Sequence, residues 1–224
     1  MGNQGPDSAF SRLINVPVES GVLEGMLEGP AQARGVVVFA HGSGSSRLSP
    51  RNGAVAQVLR DAGLGTLLID LLTAREDQDY DARFDIDLLT RRLNVATDWL
   101  RTQTPEGGLP IGYFGASTGA AAALNAAALR RDIGAVVSRG GRPDLASPRR
   151  LGEVRAPTLL IVGSLDDLVI RFNKRAFTEL DCIRKMVLVR GATHLFEEPG
   201  ALEEVAQLSA EWFRRYLVDE PVDL

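Results

Sequence analysis

One cysteine in 224 residues, Cys182, rules out an internal disulfide and suits a reducing compartment. No apolar run is long enough to cross a bilayer. The first ten residues, Met1 to Phe10, show neither a basic n-region nor an apolar h-region, so no secretory leader is expected and the expected location is cytoplasmic. Basic residues are not in excess: 25 Lys and Arg against 29 Asp and Glu leave a formal net charge of -4, which makes no electrostatic case for nucleic acid or an anionic membrane. Histidine is scarce, with only His41 and His194 to offer an imidazole. The phosphate-cradling patterns G-x-x-x-x-G-K-[ST] and G-x-G-x-x-G are both missing from the one Gly/Ser-rich stretch that invites them, His41 to Ser46.

What is present reads as an ordinary soluble globule, long enough for one α/β domain with a sizeable core. Residues 1–10 are expected to be a flexible N-terminus and 11–224 a single domain, since no repeat, low-complexity tract or linker divides the chain. Leu13 to Glu19 and Val22 to Glu28 alternate around Ser20-Gly21, the pattern of an edge hairpin. Gly35 to Ala40 is a continuous β-branched run, the sign of a strand buried on both faces. Strands and helices then take turns. The expected order is helix Asn52 to Ala62, strand Leu64 to Ile69, helix Ile86 to Thr102, strand Pro110 to Phe114 and an alanine-rich helix Ala120 to Leu129. Strand Ala135 to Ser138, strand Thr158 to Val162, helix Phe172 to Leu180, strand Lys185 to Arg190 and helix Leu202 to Leu217 follow. Such alternation implies right-handed crossovers and a mostly parallel sheet covered by helices on both faces. Trp212 and Phe213 fall on the apolar stripe of the last helix and read as packing.

In an open parallel sheet, chemistry gathers beyond the carboxyl ends of the strands. Gly115-Ala116-Ser117-Thr118-Gly119 stands between a strand and a helix, where G-x-S-x-G reads as a nucleophile elbow presenting Ser117. The plainer alternative is a glycine-bounded turn with a capping serine. After Gly35 to Ala40 comes His41-Gly42-Ser43-Gly44, read as an oxyanion loop. Its first-choice donor is the N–H of Ser43, with Gly42 and Gly44 close behind, and the second donor is the N–H of Thr118. His41 itself is expected to organise that loop through a side-chain hydrogen bond. After Thr158 to Val162 come Asp166 and Asp167, either of which can orient an imidazole. The spacing G-x-x-D-x-x-V from Gly163 to Val169 favours Asp166, and Asp167 suits a helix N-cap. After Lys185 to Arg190 comes His194, the remaining imidazole and so the expected general base.

The order Ser117, Asp166, His194 is the α/β-hydrolase order. From about Leu13 to Leu217 the chain resembles a small α/β hydrolase of the dienelactone-hydrolase-like group. It departs from that group in carrying Ser117 where true dienelactone hydrolases carry Cys in the elbow, which favours a general carboxylester or thioester hydrolase. The resemblance implies an α/β-hydrolase fold without a large cap domain and acyl transfer through a covalent intermediate, with no metal or organic cofactor. The expected partner is a small ester substrate; nucleic acid and membrane are not expected, and monomer or homodimer stays open. A peptidase or perhydrolase on the same triad, or a hydrolase-fold binding protein with little turnover, are the alternatives. Arg139, after the strand ending at Ser138, is a candidate for binding a substrate carboxylate or phosphate, against an ion pair with Asp144. The acidic loop Leu71 to Arg83 is a candidate cover for the site.

Overall fold

The computed structural model describes residues 9–103 and 108–219. Of the segment 1–10, all but the last two residues lie outside the described part, and Phe10 already pairs with Gly29. The strands are β1 (Phe10–Val18), β2 (Gly21–Gly29), β3 (Val36–Ala40), β4 (Gly65–Ile69), β5 (Ile111–Ala116), β6 (Ile133–Arg139), β7 (Thr158–Gly163) and β8 (Arg184–Val189). The helices are α1 (Pro50–Asp61), α2 (Ile86–Gln103), α3 (Thr118–Leu129), the single turn α4 (Pro148–Leu151), α5 (Asp167–Glu179) and α6 (Ala201–Phe213), the last running on into a π-helical turn, Arg214–Val218.

All eight strands join one sheet in the order β1-β2-β4-β3-β5-β6-β7-β8. β1, β2 and β4 pair antiparallel, and β4 through β8 are parallel to one another. The hairpin turns at Glu19-Ser20, one residue earlier than the expected Ser20-Gly21, because Gly21 already pairs with Val18 as the first residue of β2. From β3 the chain moves to β4 on one side and later to β5 on the other. That reversal opens a crevice at the carboxyl ends of β3 and β5, where open α/β sheets place their ligands.

Two cores flank the sheet because each central strand sends alternate side chains to opposite faces. Val36, Val38 and Ala40 join α2 and α3 on one face, while Val37 and Phe39 join α1 and α6 on the other. Helix α3 is apolar all round and buried along nearly its whole length, as a central helix must be. Its alanines keep it close to the strands, and Tyr113 on β5 completes its packing by sharing a 2.7 Å hydrogen bond with Thr97 of α2. On the other face Phe213 is fully buried and Trp212 nearly so, as their spacing implies.

Of the boundaries that differ from the sequence reading, two bear most directly on the site. β6 runs one residue further, so Arg139 ends a strand instead of starting a loop. α5 begins at Asp167, five residues earlier than Phe172, because the carboxylate of Asp166 accepts the Val169 N–H and starts the helix there. Among the described residues no helix is long and apolar enough to cross a membrane.

Candidate active site

The elbow is held open by what its glycines lack. A methyl group on Gly119 would lie 2.2 Å from the Ala40 carbonyl oxygen, and one on Gly115 would lie 2.5 Å from Ala120 Cα, so neither position admits a side chain. The close approach forces Ser117 to φ 50°, ψ -119°, a region non-glycine residues occupy at a cost of about 1–3 kcal/mol. Ser117 stands as the residue before α3, its backbone stitched to the end of β6. The Ser117 N–H donates to the Arg139 carbonyl at 3.2 Å, and the Arg142 N–H donates to the Ser117 carbonyl at 3.0 Å.

Two strands further on, the ends of β7 and β8 are drawn together at Gly163, where a methyl group would meet the Ala192 carbonyl oxygen at 2.4 Å. That approach lets the Leu165 N–H donate to the Ala192 carbonyl and brings Asp166 Oδ2 to 2.7 Å from His194 Nδ1. Asp166 therefore does two things with one carboxylate, capping α5 with Oδ1 and holding the imidazole with Oδ2. Asp167, read as the cap, is instead exposed in the first turn of the helix, and the carboxylate that meets His194 is that of Asp166. With Nδ1 committed to Asp166, the imidazole presents Nε2 as its free nitrogen. His194 lies beside Gly140, whose added methyl would sit 3.6 Å from His194 Cε1, and Gly140 directly follows the residue that accepts the Ser117 N–H. Among the described residues Ser117 Oγ makes no hydrogen bond, to His194 or to any other.

The loop after β3 is fixed by His41. Its Nδ1 faces the Gly42 carbonyl at 2.9 Å and so donates to it, and its Nε2 accepts the Leu71 N–H at 3.1 Å. Accepting at Nε2 needs the neutral ring, and burial lowers the His41 pKa below its ordinary 6.5, with the Gly42 carbonyl, Asp70 and Asp77 opposing. His41 is thus the loop organiser it was read to be. The expected donor Ser43 differs: its N–H already donates to Thr118 Oγ1 at 2.8 Å. A bond between residues 75 apart leaves no trace in local sequence. The neighbour Gly42 is better placed, since a methyl on it would be 3.1 Å from Ser117 Cβ.

Beside the loop lies a cavity of about 340 Å³, lined in part by Ser45, Ser46, Leu72 and Thr73 and by the charged Arg47 and Asp70, but not by Ser117. The segment Leu71 to Arg83, read as a possible cover, forms two short 3-10 turns pinned by Arg83 to Asp77 and by Glu76 to Arg92 and Ser20. Leu72, Asp77 and Arg83 of this segment face the loop after β3, His41 to Gly44, across a small cleft. Arg139 is 8% exposed and, contrary to the alternative weighed for it, pairs with no carboxylate among the described residues; Asp144 belongs to Arg142, held by two bonds of 2.8 Å. Among the described residues no group of three or more His, Cys, Asp or Glu is placed to hold a metal.

Comparison with known proteins bears on this geometry. No family model matches the chain. A crystal structure of dienelactone hydrolase from Anabaena variabilis is 55% identical, covers 93% of this chain and 99% of its own, and superposes with a TM-score of 0.88. The chain belongs to the dienelactone-hydrolase-like family of α/β hydrolases. More distant members of the fold include Est1E from Butyrivibrio proteoclasticus, 15% identical with a TM-score of 0.78 over 92% of this chain and 99% of that one. An esterase from Pyrococcus furiosus is 18% identical with a TM-score of 0.76 over 96% of this chain and 97% of its own. In sequence, this dienelactone-hydrolase-like chain also matches two proteins from strains of Mycobacterium tuberculosis, provisionally named phosphoribosyl transferases, at 57% identity over 194 residues. That match covers 86% of this chain but 44% of the length of those relatives.

Proposed function

We propose that the chain is a serine hydrolase that cleaves small carboxylic esters or thioesters through an acyl-enzyme. The observation that carries this reading is the Asp166–His194 pair, 2.7 Å apart, at the rim where Ser117 is held in a strained elbow. Asp166 fixes the tautomer of His194 and stabilises the imidazolium it becomes. His194 Nε2 takes the Ser117 Oγ proton as Oγ attacks the carbonyl carbon, and the carbonyl π electrons move onto oxygen. Donors for that oxyanion are the N–H of Thr118, at the start of α3, and the N–H of Gly42; Ser43 joins them only if it leaves Thr118 Oγ1. Collapse of the tetrahedral intermediate expels the alcohol or thiol, protonated by His194, and water activated by the same imidazole then releases the acid and restores Ser117. The absent contact between Ser117 Oγ and His194 suits a resting site, since such bonds tighten when substrate is bound.

The phosphoribosyl transferase name of the longer relatives describes proteins more than half of which lies outside the match, and the elbow with its imidazole pair supports acyl transfer better. The test is labelling by a fluorophosphonate probe together with a panel of p-nitrophenyl esters. Covalent labelling and turnover that both vanish in Ser117→Ala are the expected result. Labelling that persists in Ser117→Ala, or a folded wild type that neither labels nor turns over any ester, overturns the reading and leaves a binding protein in its place.

A further inference from the structure

Asn173 is fully buried on α5, two helical turns beyond the Asp166 that caps the same helix. Its Oδ1 has no partner among the described residues, while its Nδ2 has two, the Val169 carbonyl at 2.8 Å and the Gly141 carbonyl at 3.0 Å. Since both neighbours are carbonyls, the amide can turn only one way, with its NH2 toward them. An orphaned buried oxygen is a cost that a leucine of similar shape would avoid. The return for that cost lies in what Nδ2 holds. Its bond to Val169 stays within the helix, but its bond to Gly141 leaves the helix for the segment that clamps the elbow.

The Gly141 carbonyl and the Arg142 N–H are the two sides of one peptide unit, and that N–H donates to the Ser117 carbonyl at 3.0 Å. The Ser117 carbonyl is in turn one side of the unit whose other side is the Thr118 N–H. Neither unit is cis, so in each the N–H and the C=O point opposite ways. The result is a line of bonds, from Asn173 Nδ2 to Gly141 O and from Arg142 N–H to Ser117 O, with the Thr118 N–H at its far end. Thr118 opens α3, so no carbonyl one turn back in the helix takes that N–H. The middle of the line has little freedom. A methyl group on Gly141 would collide with Ser138 Oγ and Ala120 Cβ, and the Gly140 N–H is fixed on the Ile161 carbonyl at 2.8 Å. The Arg142 guanidinium is tied to Asp144 and lies 5.0 Å from the ring of Phe172, the residue beside Asn173 on α5. We infer that Asn173 is a positioning residue for the oxyanion donor: through two peptide planes it sets the direction of the Thr118 N–H, and as the head of a chain of hydrogen bonds it polarises that N–H into a stronger donor. Helix α5 then serves the reaction twice, with Asp166 orienting the base and Asn173 orienting the donor. The inference rests on the hydrolase reading for the oxyanion, but not for the line of bonds.

Two measurements test it, and the first needs no substrate. Amide NMR of isotope-labelled protein compares the Arg142 and Thr118 amide protons between wild type and Asn173→Ser. Serine can still bond back to the Val169 carbonyl but is too short to reach Gly141, so only the line is cut. Both amide protons are expected to move upfield, Arg142 by more; resonances that stay in place in the folded variant overturn the inference. The second measurement takes kcat and KM for p-nitrophenyl butyrate together with the affinity for a trifluoromethyl ketone, whose adduct with Ser117 carries the oxyanion. Asn173→Leu is expected to lower kcat about tenfold, short of the roughly 10²–10³ that follows outright loss of an oxyanion donor. It should weaken the ketone by a similar factor and leave KM nearly unchanged. Ile170→Ala trims the buried packing of the same helix and touches none of these bonds, so it is expected to melt lower while keeping both kcat and ketone affinity. Equal losses in the two variants at a matched fall in Tm would assign the effect to a loosened helix and overturn the inference. Should Asn173→Leu not fold, Asn173→Ser carries the same kinetic comparison. Unchanged kcat and ketone affinity in a folded Asn173 variant end the positioning role while esterase activity stands. Upfield shifts in a protein that cleaves no ester and binds no ketone end the hydrolase reading and leave the line of bonds as the hold on the Thr118 N–H.

Discussion

His41 and Arg139 are both 8% exposed, both nitrogen-rich, and both stand at the carboxyl edge of the same sheet, after β3 and at the end of β6. The molecule treats them in opposite ways. Each ring nitrogen of His41 has a partner, and the ring is kept neutral, so burying it costs little and the loop it organises is fixed. Arg139 is kept charged, with two of its nitrogens facing nothing that can accept them. A buried polar group whose bonds are complete costs the fold little, whereas one left incomplete carries the desolvation penalty of that group. Ser117 belongs with Arg139 in this respect: its hydroxyl is unpartnered among the described residues, and its backbone is held at a strained φ of 50°. Thr118 and Asp166 stand between: Thr118 Oγ1 accepts the Ser43 N–H, and each oxygen of Asp166 has a partner, Val169 N–H or His194.

The sharpest way to break that division is at Ser117. Replacing it with alanine is expected to lower kcat for esters by about 10⁴-fold or more, as loss of a triad nucleophile does elsewhere, with the melting temperature nearly unchanged, because the hydroxyl holds nothing. Ser117→Gly is expected to be equally inactive but more stable than Ser117→Ala by about 1 kcal/mol, since glycine takes φ 50° without strain. Urea unfolding of the two variants measures it. An alanine variant as stable as the glycine one would mean that the elbow stores no strain.

Asp166 comes next. Asp166→Asn still caps a helix well, so stability should stay within about 1 kcal/mol of wild type, but the amide no longer holds His194 in the working tautomer, and kcat should fall about 10³–10⁴-fold. Asp167→Asn, at an exposed neighbouring carboxylate, is expected to change neither. A smaller loss is expected from Thr118→Val, which removes the acceptor of the Ser43 N–H and frees the oxyanion loop from the elbow. kcat should drop about tenfold, well short of losing an oxyanion donor outright, and Thr118→Ser should restore it. Failure of the serine variant to restore the rate would assign the effect to packing, not to the loop.

Most of the architecture was legible because it rests on local patterns. The β-branched run at Gly35 to Ala40 could only be a buried strand, and G-x-S-x-G between a strand and a helix announced the pinch that places Ser117. Asp166 over Asp167 was preferred from spacing alone, and the reason became visible only with the helix starting at Asp167. What stayed hidden involves residues far apart. The bond from Ser43 to Thr118 spans 75 positions, and the isolation of Arg139 is a statement about what is missing from its surroundings in space. Its sequence neighbour Asp144 looked like a partner, but the strand carries Arg139 one residue further to the opposite face, and Arg142 takes the carboxylate. Local acids are poor guides to the pairing of a residue at a strand end.

The weakest expected effect tests the satisfied half of the comparison. Because burial holds the His41 pKa below 6.5 in the folded protein, the unfolded chain takes up this proton first as pH falls. The contribution of His41 to stability is therefore complete above about pH 6.5 and is lost progressively below it, when a protonated ring can no longer accept the Leu71 N–H. Urea unfolding between pH 8 and pH 5 should show stability falling on the acid side. In His41→Gln that part of the slope should disappear, leaving whatever the carboxylates contribute. The variant itself should cost about 1–3 kcal/mol at pH 8, the range for a buried N–H that loses a well-placed acceptor. An acid slope identical in wild type and variant would show that His41 is not held neutral by its burial and the bond its Nε2 accepts, and that completeness of bonding does not separate the fixed groups of this rim from the others.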